Sequence, residues 1–139
     1  MRVLVTCQPA FGHLNPLVPL ARALQSAGHD VRFATAASFS GPVKAAGFTM
    51  IPAGVDWLES DIAGAFPEYV AHRAAGRGKW FVQSEIFAWH TATAMAASLA
   101  EALVDWRPDL IVREPWEIGG AITAANLSVG CARCSGSVR

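Results

Sequence analysis

The sequence predicts an α/β domain, a Rossmann-like three-layer αβα sandwich with a mostly parallel sheet. Three observations predict it. Short apolar runs alternate with stretches of helical spacing along the chain. The first run, Val3-Leu4-Val5, is apolar at consecutive positions, as a strand covered on both faces must be. The composition, 53% hydrophobic and 16% charged over 139 residues, is that of one compact domain with a real core.

The elements follow in order. Arg2–Thr6 reads as the first strand. Pro16–Ala27 reads as the first helix, with Leu17, Leu20, Ala21 and Leu24 on one stripe. Asn15 is placed to cap it, Pro16 suits its first position, and Gly28 suits the left-handed residue that ends it. Asp30–Ala34 is a second strand, Ser38–Ala46 a short helix and Phe48–Pro52 a third strand. Residues 54–80 are irregular and mix aromatics with glycine and charge. Phe81–Trp106 is helical, with Ala92, Met95, Ala96, Leu99, Leu103 and Trp106 on a buried face, and Pro108 breaks it. Asp109–Val112 is a fourth strand and Gly119–Leu127 a last helix. Strands alternating with helices imply right-handed crossovers between parallel strands. Residues 128–139 form a fifth strand poorly. The whole chain, 1–139, reads as a single domain without repeat or linker.

Bulk properties remove several function classes. Eleven basic and eleven acidic residues give no net charge, which argues against a grip on nucleic acid or on an anionic membrane. No apolar run reaches the length of a membrane span, and Met1-Arg2 leads straight into a strand rather than a signal peptide. Three cysteines suggest no disulfide framework, so a cytoplasmic protein is expected. The spacing of Cys131 and Cys134 has no matching ligand pair for zinc and is read as accidental. There is no glycine fingerprint and no Walker loop, so no dinucleotide cofactor is expected.

Chemistry concentrates in Thr6-Cys7-Gln8-Pro9-Ala10-Phe11-Gly12-His13-Leu14-Asn15-Pro16-Leu17, which joins the first strand to the first helix. Ligands of open α/β sheets gather at such joints. Gly12 permits a tight turn, and His13 projects beside the positive end of a helix, which disfavours the imidazolium. A neutral imidazole is therefore expected, either as a general base or as a turn histidine bonded to backbone. Phe11, Trp57, Phe66, Trp80 and Phe87 offer flat apolar contact for a small ligand, or are ordinary core.

The Gly12-His13-x-Asn15-Pro16 segment resembles the start of the two-Rossmann-domain (GT-B) glycosyltransferases of bacterial natural products, the branch acting on macrolides, enediynes and aromatic polyketides. Pro19–Leu24, Ala27–Val31, Ala45–Phe48 and Trp106–Val112 fit the same pattern. The resemblance implies the incomplete N-terminal, acceptor-binding half of a GT-B fold. It implies an inverting, metal-free transfer from a nucleoside-diphosphate sugar, a co-substrate bound mainly by a second domain that this chain does not include. His13 would be the base and Glu114, after the fourth strand, the acid that orients it, although aspartate is the more usual residue there. Phe11, Gly12, Trp57, Phe66, Trp80 and Phe87 would touch a polyketide-like aglycone. The isolated chain would then catalyse little. A non-catalytic Rossmann-like module binding a small molecule or a protein is the alternative, and a nucleotide-dependent oxidoreductase fragment is disfavoured by the missing glycines.

Overall fold

The structure, a computed structural model, describes residues 1–135. Five strands form one sheet: β1 (Arg2–Thr6), β2 (Asp30–Thr35), β3 (Thr49–Pro52), β4 (Leu110–Arg113) and β5 (Gly130–Arg133). Their order is β3-β2-β1-β4-β5, and every neighbouring pair is parallel. The strands step outward from β1 in both directions, so the winding reverses between β1 and β4. Loops leaving the carboxyl ends of those two strands diverge and open a crevice, the usual ligand position in such sheets.

Successive residues of a strand point to opposite faces, and here both faces are covered. Val3, Val5, Phe33 and Val112 pack on one side against Leu17, Ala21 of α2 (Val18–Ser26) and Val43 of α3 (Ser40–Ala45). Leu4, Ala34 and Ile111 pack on the other against Met95 and Leu99 of α7 (Ala92–Ala102), Leu103 just beyond it, and Ala124 of α8 (Gly119–Leu127). Of the stripe expected on the first helix, Leu17 and Ala21 are buried and Leu24 is half-buried, but Leu20 faces solvent. Among the described residues no helix is long and apolar enough to cross a membrane.

The first helix departs from expectation. The carbonyl of Ala10 already accepts from the amides of His13 and Leu14 at 3.1 and 3.0 Å, so helical winding begins in the loop itself as α1, Phe11–Leu14. Pro16 and Pro19 carry no N–H, which splits this turn from α2. Asn15 ends α1 instead of capping α2, which opens at Val18 with proline in its first turn.

The fifth strand also forms. Gly130–Arg133 pairs with β4 from Leu110↔Gly130 to Arg113↔Arg133. All four of its residues are exposed, and an edge strand held by backbone pairing needs little apolar side chain. That is why composition did not reveal it; residues 136–139 of the expected weak segment lie outside the described residues.

Residues 54–80 are not a plain loop. They wind into a 3₁₀ turn at Glu59–Asp61, then α4 (Ile62–Ala65), α5 (Glu68–Ala74) and α6 (Gly78–Phe81). Trp57, Phe81, Ile86 and Phe87 give this region its own apolar cluster. Val82–Thr91 follows with π-type winding and runs into α7. Such winding recurs at functional sites, and here it buries Phe87 and Thr91 together.

Helix α8 approaches α7 very closely. A Cβ on Gly119 would lie 2.5 Å from Met95 Cβ and 2.8 Å from the Ala92 carbonyl. Because backbone must move to admit it, Gly119→Ala should cost about 1–3 kcal/mol of stability. Urea denaturation should show a lowered midpoint with an unchanged slope; a wild-type midpoint would contradict this packing.

Candidate active site

Three segments converge at the crevice, and each is tied to β1. β1 leads through Gln8 and Pro9 into α1, which carries His13. Glu114 follows β4, and its amide donates to the Thr6 carbonyl at 3.2 Å. Glu59 opens the 3₁₀ turn, and its amide donates to the Pro9 carbonyl at 3.3 Å. The fold therefore fixes all three side chains in one frame.

The imidazole of His13 lies between two carboxylates. Nδ1 is 3.2 Å from Glu114 Oε1, and Nε2 is 3.4 Å from Glu59 Oε2. Glu114 is buried and held in turn: the Trp116 amide donates to its Oε2 at 2.8 Å. Phe87 presents an edge-to-face contact to the ring at 5.8 Å between centroids.

These contacts overturn the expected neutral imidazole. Burial works against the charge, but hydrogen bonds to Glu114 and Glu59, reinforced by their charges, raise the His13 pKa from 6.5 to about 9. The single turn of α1 supplies too little dipole to compete with two adjacent carboxylates. At neutral pH the ring is therefore an imidazolium. The same contact with His13 lowers the Glu59 pKa.

His13 borders two openings. One, of about 520 Å³, is lined by Glu59, Tyr69, Lys79, Phe87 and Trp116 among others. The other, of about 350 Å³, runs past Gly12, Glu114, Trp116 and Cys134. An imidazole with a cleft on either side, backed by a buried carboxylate, can pass a proton to or from a small molecule.

The model of the erythromycin biosynthesis protein CIII-like N-terminal domain matches residues 22–138. The chain belongs to this family. Among curated relatives, TDP-daunosamine transferase DnrS of Streptomyces peucetius is 36% identical over 89% of this chain and 33% of its own length. The L-demethylnoviosyl transferase of Streptomyces niveus is 37% identical over 97% of this chain and 34% of its own length. The crystal structure of glycosyltransferase SnogD from Streptomyces nogalater superimposes with a TM-score of 0.70 at 29% identity, covering 96% of this chain and 33% of that one. The chain thus spans about a third of the length of the relatives it matches, and its fold is that of the N-terminal part of GT-B glycosyltransferases.

In this CIII-like domain the residues singled out from sequence do not all gather. His13 and Glu114 meet, and Gly12 and Phe87 line the openings beside them. Trp57 is interior, packed on Phe66 at 5.2 Å and on Phe87 at 6.2 Å, so it supports the wall from behind. Phe66 is half-buried in the same cluster. Phe11 lies on the far side of α1 against Phe39, in a separate groove with Pro42 and Leu58. Trp80 is exposed beside His72, away from His13.

Sequence reading missed Glu59, Trp116, Gln8 and Glu117. Glu59 stands in the irregular region with no local pattern, and only its contact with Pro9 brings it in. Gln8 donates to Thr91 Oγ1 at 2.9 Å and to the Trp116 carbonyl at 3.2 Å, bracing the loop on both sides. Glu117 is fully buried, and burial pushes its pKa up despite bonds from the Thr6 hydroxyl and the Gly120 amide. The spacing Glu114-x-x-Glu117 straight after a strand was a legible signal for this pair.

Proposed function

We propose that this CIII-like domain is the acceptor-binding half of a natural-product glycosyltransferase, with His13 as its general base. The acceptor, an apolar polyketide-like aglycone, enters the larger opening against Phe87 and Trp116. Its hydroxyl replaces Glu59 at Nε2 and donates its hydrogen there once the ring is neutral. As the oxygen attacks the anomeric carbon of a nucleoside-diphosphate sugar, the proton passes to Nε2 and the nucleoside diphosphate departs with inversion. Glu114 at Nδ1 fixes the tautomer and stabilises the imidazolium that results. Transfer requires donor and acceptor to be held together, so a donor-binding half must work beside this domain.

The observation that carries this reading is the His13–Glu114 pair at the point where the sheet reverses its winding, within a family whose relatives bear the names of sugar transferases. The test joins this chain to the donor half of such a relative and supplies a thymidine-diphosphate sugar with a polyketide aglycone. Mass spectrometry should find the glycoside. Aglycone binding without any glycoside would favour a non-catalytic binding module instead.

A further inference from the structure

We propose that Glu59 selects the acceptor by accepting a hydrogen bond from a second hydroxyl, carried on the carbon next to the one that bears the attacked hydroxyl. This rests on the acceptor reading of the larger opening. Of the described residues that line it, Glu59 alone is a carboxylate, set in a wall that includes Phe87, Trp116 and Val82. Its charge partner is Nε2 of His13, 3.4 Å away, a contact that lowers the Glu59 pKa. An acceptor hydroxyl can donate to Nε2 only when that nitrogen carries no hydrogen, so productive binding takes from Glu59 the partner it has. A half-buried carboxylate left without a donor is costly.

A hydroxyl on the adjacent carbon restores the donor. Nε2 and Oε2 stand 3.4 Å apart, a gap that two hydroxyls on neighbouring carbons span, one donating to each atom. The backbone of Glu59 is pinned to the carbonyl of Pro9, so its carboxylate, whatever its side-chain torsions, stays beside the loop that carries His13. Replacing the second hydroxyl by a methyl ether turns an oxygen with no hydrogen towards a carboxylate, and sites built around a hydrogen-bonded hydroxyl reject analogues that lack it. Tyr69, Lys79 and Gln83 line the same opening.

The test is calorimetric titration of this chain above pH 9, where the His13 ring is neutral, with cis-1,2,3,4-tetrahydronaphthalene-2,3-diol and with its monomethyl ether, alongside ring NMR signals of His13. The diol should bind about tenfold more tightly, the worth of one hydrogen bond to a partly exposed charge. Glu59→Ala, at a position on the protein surface, should bring that ratio to about one while both compounds still move the His13 signals. Equal affinities in the unaltered chain, with His13 signals moving, would overturn the selection and leave the acceptor reading standing. A preference that persists in Glu59→Ala would also overturn it and assign the second contact elsewhere, with the amide oxygen of Gln83 first in line. If neither compound moves the His13 signals, the acceptor reading itself fails and this inference with it.

Discussion

Replacing His13 by alanine, in the chain joined to a donor half, should lower kcat/KM for sugar transfer by about 10²–10⁴-fold, the usual worth of a positioned general base. Acceptor affinity should change far less. An alcohol is a poor nucleophile until a base takes its proton in the transition state, and no other described residue combines a basic nitrogen with a place between both openings. The variant should fold, because the ring borders the crevice and is not part of the sheet core. His13→Gln keeps hydrogen bonding without basicity and should be equally slow. Undiminished turnover in either variant would remove His13 from the chemistry.

Glu114→Gln should lower kcat by about 10–100-fold, the kinetic equivalent of one hydrogen bond to a charged group. The glutamine carbonyl can still accept from Nδ1, so the tautomer survives; what is lost is the charge that stabilises the imidazolium. The pH profile separates this from a merely structural role. In the unaltered protein kcat/KM should climb as pH rises towards about 9, where the free ring loses its proton. In Glu114→Gln that limb should move to lower pH, since Glu59 alone then supports the charge. A limb that stays in place, with kcat unchanged, would reduce Glu114 to an acceptor for the Trp116 amide.

Much of the fold was legible because its signals are local. Val3-Leu4-Val5 and the spacing from Ala92 to Leu103 report burial directly, and both are core. The fifth strand was not legible, since its residues are exposed and backbone pairing alone defines it. Asn15-Pro16 misled because a second helical turn precedes it, and the sequence marks prolines but not which carbonyl winds first. The site divides in the same way. His13 and Glu114 each follow a strand in sequence, so topology alone brings them together. Glu59 reaches the ring through a loop-to-loop contact that no periodicity encodes, and together Glu114 and Glu59 reverse the protonation state that the helix dipole alone suggested. Aromatic content foretold an apolar wall but not which ring faces it: Phe87 does, Trp57 stands behind it, and Trp80 points elsewhere.

The most direct measurement is the ring titration of His13 by NMR in this chain, with stability followed across the same pH range. The groups facing the ring are Glu114 beyond β4, Glu59 on its 3₁₀ turn and Phe87 on the π-wound segment. Because the folded pKa lies above the unfolded value of 6.5, the stabilisation is complete below pH 6.5 and is lost as pH rises through about 9. The account predicts a midpoint near 9 for the unaltered chain, falling in Glu114→Gln. A midpoint at or below 6.5, unmoved by that substitution, would mean that no carboxylate holds this imidazole, and the proton-transfer role built on it would be contradicted.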